Sequence, residues 1–149
     1  MMVEMMDPAA DEMICDPACG TSGFLVASGE YLREKKKEDI FYNKANRDHY
    51  MNHMFYGYDM DRTMLRIGAM NMMTHGVDNP KIEYRDSLSD QNPDKDKYSL
   101  VLDQSVIKGS LDAESVSGDL LKVCKTKKTE LLFIALFLRI LKMGGRVPA

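Results

Sequence analysis

The chain has 149 residues, of which 44% are hydrophobic and 29% charged, with a net charge of -3. That length suits one domain, burying about two-thirds of the surface its unfolded chain exposes. The charge excludes a uniformly basic nucleic-acid binder, so any DNA contact must come from local patches or from another subunit.

Met1 to Met6 has the spacing of a helix end, closed by Asp7-Pro8. Met13-Ile14-Cys15 is a short apolar run leading into Asp16-Pro17-Ala18-Cys19-Gly20-Thr21-Ser22-Gly23, after which Phe24 to Arg33 takes up helical spacing. This predicts strand, glycine-rich loop and helix. Lys35 to Asn52 is polar and charged, and reads as a loop with one short amphipathic helix. Met54 to Tyr58 is a second strand ending at Asp59, and Asp61 is placed to cap a helix that His75-Gly76 stops. Lys81 to Arg85 alternates as a third strand ending at Asp86. Tyr98 to Leu102 is a fourth ending at Asp103, and Thr129 to Leu141 is the last helix, terminated by Met143-Gly144-Gly145.

Strands alternating with helices predict an open α/β fold with a parallel sheet. Ligands bind such sheets at the carboxyl ends of the strands, and here each of those ends carries an aspartate. The Gly20 to Gly23 turn lets backbone approach a ligand closely, but it lacks the G-x-G-x-x-G spacing of a dinucleotide loop. Asp16 and Asp59 would also repel a pyrophosphate. A ligand with adenine, ribose and a cationic end fits better, and S-adenosylmethionine is one. Asp16 and the loop amides would face its amino-acid end, Asp59 the ribose hydroxyls and Asp86 the adenine amino group. The competing expectation is that each Asp caps its own turn; three in register with a glycine loop favour the cofactor site.

Asp16 to Leu25, Gly57 to Ile67, Asn71 to Gly76 and Lys125 to Phe133 closely resemble motifs of the modification subunit of type I restriction-modification systems. The likeness runs from Met1 to Arg146. It implies a Rossmann-like S-adenosylmethionine-dependent methyltransferase fold with helices on both faces of the sheet. It also implies DNA adenine-N6 methylation, and a complex with specificity and restriction subunits. Carried over residue by residue, Asp16, Pro17, Ala18, Cys19, Gly20, Thr21 and Gly23 match the cofactor loop, Asp59 the ribose acid and Asp86 the adenine-side acid. Ser22 stands where many members have glycine. The resemblance further implies a longer protein: the chain reads as a partial catalytic domain spanning 1–149, truncated to about four strands. An N-terminal helical domain and the later strands would lie outside it.

One segment departs from the family. Where its members carry Asn-Pro-Pro-Phe, this chain has Gln104-Ser105-Val106-Ile107. In the family the target adenine is flipped into a pocket; the Asn oxygen and a Pro carbonyl accept from its amino group, and the Phe ring stacks on the base. Gln104 moves its amide by about 1 Å, a misplacement that can cost about a hundredfold. Ser105 and Val106 release the two proline constraints on φ. Ile107 has no π-face for a stack worth roughly 1 to 3 kcal/mol. The expectation is a chain that keeps the cofactor site and lacks methyl transfer, or a non-catalytic module that only associates with partner chains.

The remaining features carry less. Lys122, Lys125, Lys127 and Lys128 lie beside the expected base pocket, as phosphate contacts or as a solvated face. Lys35-Lys36-Lys37 reads as a solvated helix end, and Asn71 and His75 as a shared helix face, capping locally or lying near the cofactor. His49 and His53 are four apart with no third ligand in reach, so no metal is assigned. Cys15 and Cys19 read as packing residues, and with Cys124 they form no disulfide framework. With no leader pattern and no apolar run longer than Leu131 to Leu138, a reducing cytoplasmic setting away from membranes is expected. The thirteen methionines cluster in periodic segments, as core filler.

Overall fold

The computed structural model describes residues 2–103, Gly118, Leu120 and 129–148. Helices α1 (Met2–Met6), α2 (Gly23–Lys35), α3 (Lys37–Phe41), α4 (Lys44–Asn52), α5 (Arg62–Thr74) and α6 (Thr129–Ile140) surround five strands. These are β1 (Ile14–Asp16), β2 (Phe55–Asp59), β3 (Lys81–Tyr84), β4 (Tyr98–Val101) and β5 (Leu141–Arg146). They form one all-parallel sheet in the order β3-β2-β1-β4-β5. The chain builds from β1 through β2 to β3, then crosses to the other side of β1 for β4. The carboxyl ends of β1 and β4 therefore form a topological switch point, where connections leave in opposite directions and a crevice opens.

Both faces of the sheet are covered, and its two central strands, β1 and β4, are buried along their whole length. Ile14 points into one layer and Cys15 into the other, each with 0% exposure. Phe55, Leu100 and Leu102 join Ile14 beneath Leu25 and Leu32 of α2, Tyr50 of α4 and Leu65 of α5. Tyr58, Tyr98 and Val101 join Cys15 beneath Leu132, Leu136 and Ile140 of α6.

The structure corrects the sequence reading in two places. The expected loop and single helix of Lys35 to Asn52 are two helices. Asn43 starts the second, its side chain accepting from the Ala45 and Asn46 amides at 2.9 and 3.3 Å. Ile40 and Tyr50 anchor the pair in the core, with Tyr50 edge-on to Phe55 at a centroid distance of 5.4 Å. Within the expected solvated lysine run, Lys36 pairs with Asp7 at 2.8 Å.

The second correction is the strand count, which is five among the described residues and not about four. Leu141–Arg146 pairs in parallel with β4, so the edge of the sheet on that side is β5. Leu-Lys-Met-Gly-Gly-Arg has no alternation to reveal a strand, and its register against Tyr98 and Leu100 slips through an irregularity. Gly144, at φ +80, accommodates that slip in a conformation that side-chain-bearing residues rarely adopt. Tertiary contacts hold the strand end. Arg146 pairs with the nearly buried carboxylate of Glu12 and donates from Nη2 to the Met6 carbonyl at 2.8 Å.

Candidate functional site

The loop from Asp16 to Ser22 turns over the carboxyl ends of β1 and β2. The Cys19 amide donates to the Tyr58 carbonyl at 2.9 Å, and the Gly20 amide donates to Asp59 Oδ2 at 2.9 Å. Asn71 of α5 closes it from outside, its amide nitrogen donating to the Thr21 carbonyl at 3.1 Å. His75 bonds the Asn71 carbonyl at 2.7 Å. Asn71 thus braces this loop, while its expected companion His75 meets α5's own backbone.

Each of the three aspartates accepts from an amide two residues ahead. Asp16 Oδ1 takes the Ala18 N–H at 3.1 Å, Asp59 Oδ1 the Asp61 N–H at 2.9 Å and Asp86 Oδ1 the Leu88 N–H at 3.1 Å. Local capping and ligand binding are therefore not rivals here. Two carboxylate oxygens offer about four lone-pair sites, and the turns use only some of them.

Beside this loop lies a cleft of about 530 Å³, lined by Asp16, Ala18, Cys19, Gly20, Thr21, Gly23, Phe24 and Ala27. That volume suits a small-molecule ligand. Six of the expected site residues meet there. Pro17 stands behind the wall, its carbonyl accepting from Ser87 Oγ at 2.7 Å. Asp59 touches the loop from β2, and Asp86 lies beyond the end of β3; neither lines this cleft. Phe24 and Ala27 were missed. Their spacing from Gly20, four and seven residues on, is the helical signal that could have placed them on its wall.

Asp16 is 3% exposed. Burial, with the charges of Asp103 and Asp59 adding to it, pushes its carboxyl up to about 8, against the Ala18 N–H that favours the charged form. No lysine or arginine is among the described residues that line the cleft, and a cation beside Asp16 would restore its ionised form. Cys19 is an inert wall residue, since burial and then the Asp16 charge push its thiol up to about 12.

Ser22 carries strain in this loop. It sits at φ +63, and its fully buried hydroxyl makes no hydrogen bond among the described residues. The nearby Cys19 thiol donates to the Gly20 carbonyl at 3.8 Å. A Cβ on Gly68 would stand 2.5 Å from Ser22 Oγ, so α5 crosses the loop at a distance that glycine permits. Left-handed backbone costs roughly 1 to 2 kcal/mol outside glycine, and an unpaired buried hydroxyl about 1 to 3 kcal/mol. Ser22→Gly is expected to raise the unfolding free energy by about 1 kcal/mol after glycine's larger unfolded-state entropy. Urea titration measures this; a less stable variant would mean that the hydroxyl is bonded.

Gln104, Ser105, Val106 and Ile107, and the lysines Lys122, Lys125, Lys127 and Lys128, lie outside the described residues. Among the described residues no three His, Cys, Asp or Glu side chains are grouped to hold a metal ion. His49 Nε2 bonds the Glu12 carbonyl at 2.7 Å, and His53 faces Asp48 at 3.6 Å. No helix among the described residues is long and apolar enough to cross a membrane.

An all-parallel sheet of this order, with a glycine loop leaving β1 at the switch point, defines a Rossmann-like fold, one shared with solved structures that include methyltransferases. The chain belongs to the N-6 DNA Methylase family, whose model matches residues 1–148. It is similar to the type I restriction enzyme EcoEI methylase subunit of Escherichia coli, at 26% identity over 147 residues, 97% of this chain and 29% of the relative. Its fold matches that of the type I restriction enzyme EcoKI M protein with a TM-score of 0.84 at 21% identity, over 97% of this chain and 30% of that one. Geranyl diphosphate methyltransferase in complex with SAM matches more loosely. Its TM-score is 0.57 at 15% identity, over 98% of this chain and 44% of that one. The chain thus spans about three-tenths of the length of the type I subunits it matches.

Proposed function

We propose that this chain is the cofactor-binding core of a type I DNA adenine-N6 modification subunit, with S-adenosylmethionine held in the cleft at the end of β1. The observation that carries the reading is Asp16, a buried acid at the switch point whose carboxyl is pushed up by burial and by neighbouring carboxylates. A ligand with a cationic amino-acid end completes that environment. Gly20, Thr21 and Gly23 would bring backbone against that end, and Pro17, Ala18 and Cys19 form the supporting turn. Asp59 would accept from the ribose hydroxyls and Asp86 from the adenine amino group. When bound, the cofactor supplies an activated methyl group; the chain's residues bind and orient it.

The names of the relatives, methylase subunits of type I restriction enzymes, support a place in a multi-subunit complex; specificity and restriction subunits and DNA would be its partners, in the cytoplasm. Lys122, Lys125, Lys127 and Lys128 would contact phosphates. Methyl transfer by this chain would be slight at most, because Gln104, Ser105, Val106 and Ile107 replace the residues that would hold the flipped adenine. What remains is a cofactor-binding and subunit-association module. Calorimetric titration with S-adenosylmethionine is expected to show a single saturable site, and a chain that binds none of it at millimolar concentration rules the reading out.

A further inference from the structure

Asp16 is the last residue of β1 and Asp86 stands two residues past the end of β3, strands that flank β2 in the sheet. Their carboxylates serve their own turns, so neither ties one turn to the other. That tie is made by their neighbours. Ser87, next to Asp86, donates from Oγ to the carbonyl of Pro17, next to Asp16, in a buried 2.7 Å hydrogen bond. Asn92 holds Ser87 in turn, donating from Nδ2 to the Ser87 carbonyl at 2.8 Å.

Asn92 is itself held from three sides. Its Oδ1 accepts from the Asp94 amide at 3.1 Å and from Arg85 Nη1 at 3.3 Å, and its carbonyl accepts from Arg139 Nη2 of α6 at 2.5 Å. Asp94 then takes Arg85 Nη1 at 2.6 Å and the Tyr98 hydroxyl at 2.5 Å. Burial alone would raise the Asp94 carboxyl, but Tyr98, Arg85 and Lys97 outweigh it and hold it below the usual range. Ser87, Asn92 and Asp94 are 5%, 4% and 6% exposed, and none has an unpartnered buried side-chain atom. Buried polar networks cost free energy unless fully bonded, and when fully bonded they fix one geometry.

We infer that Ser87 and Asn92 are positioning residues that set the separation between the Asp16 and Asp86 turns, and so the register of the two halves of the cofactor. The inference rests on the proposal that S-adenosylmethionine spans these turns. Neither residue is placed to bind the ligand by its side chain; Ser87 acts through Pro17 and through its own peptide beside Asp86. Without the Ser87 hydroxyl each turn keeps its own cap, so each half-site survives while their relation loosens. A ligand held at both ends loses from such loosening; a ligand held at one end does not.

The test compares two ligands on the full chain and its Ser87→Ala variant by calorimetry. S-adenosylhomocysteine reaches both turns, whereas 5′-methylthioadenosine lacks the amino-acid end and needs only the Asp59 and Asp86 side. Ser87→Ala is expected to bind S-adenosylhomocysteine about tenfold more weakly, a small part of the effective-concentration gain of linked contacts, and to bind 5′-methylthioadenosine as the unaltered chain does. The retained second affinity also reports a folded site. Unchanged affinity for S-adenosylhomocysteine overturns the inference and leaves the cofactor site standing, and so does equal weakening of both ligands, which signals general loss of structure. If the unaltered chain binds neither ligand, the cofactor proposal fails first and this inference falls with it.

Discussion

Asp16→Asn is expected to make the chain more stable and to remove its affinity for S-adenosylmethionine. The folded chain holds the Asp16 carboxyl at about 8, against an ordinary value of 3.8. Below the lower value both folded and unfolded chains carry the proton. Between the two, only the folded chain keeps it, so stability falls as pH rises, by up to about 1.4 kcal/mol per pH unit. Above the upper value the loss is complete. The Asn side chain keeps an oxygen for the Ala18 N–H and carries no charge to bury, so the variant's advantage widens across that window and then levels off. Urea titrations over the window measure it, and an advantage that does not change with pH overturns the account.

The same proton governs binding. An ammonium group beside Asp16 lets it ionise, so S-adenosylmethionine should displace a proton when it binds below the upper value. Affinity then climbs with pH, at most about tenfold per unit, before levelling. Calorimetry in two buffers of different ionisation enthalpy counts the proton. Asp16→Asn, with no charge to offer, should show neither the affinity nor the proton. Such a trade of stability for binding is common where a site holds an unfavourable group in place for its ligand.

Replacing Gln104-Ser105-Val106-Ile107 with Asn-Pro-Pro-Phe is expected to raise methyl transfer to DNA adenine on the order of 10³-fold. About a hundredfold comes from returning the amide to hydrogen-bonding position, and about tenfold from a stacking face worth about 1.4 kcal/mol, within its usual range. Transfer of labelled methyl groups, with the specificity subunit supplied, reads the difference. An unaltered chain that turns over as fast as the replaced one would refute its proposed lack of activity.

Several parts of this protein were legible because short-range patterns encode them. The central strands are buried on both faces, so Ile14-Cys15 and Tyr98 to Leu102 stand out as largely apolar runs, and each leads into an aspartate. Asp61 caps α5 as its position predicts, accepting from the Thr63 and Met64 amides at 2.9 and 3.2 Å. The glycine loop, its helix and the family motifs were readable in the same way. By contrast, α3 carries too few apolar residues to show a period, and β5 shows no alternation, so both depend on surfaces that distant elements provide.

Apart from α3 and β5, the sequence by itself determined the kinds of elements, their order along the chain and the row of aspartates at strand ends, since these follow from side-chain periodicity and turn chemistry within a few residues. The tertiary structure alone decided the strand order that makes the β1 end a switch point. It also decided the burial that lifts the Asp16 carboxyl, the crossing of Gly68 over Ser22, and the Arg146–Glu12 and Ser87–Pro17 contacts. Those contacts join residues 134 and 70 positions apart. Their energies depend on which distant groups share a dry layer, and no local pattern records that.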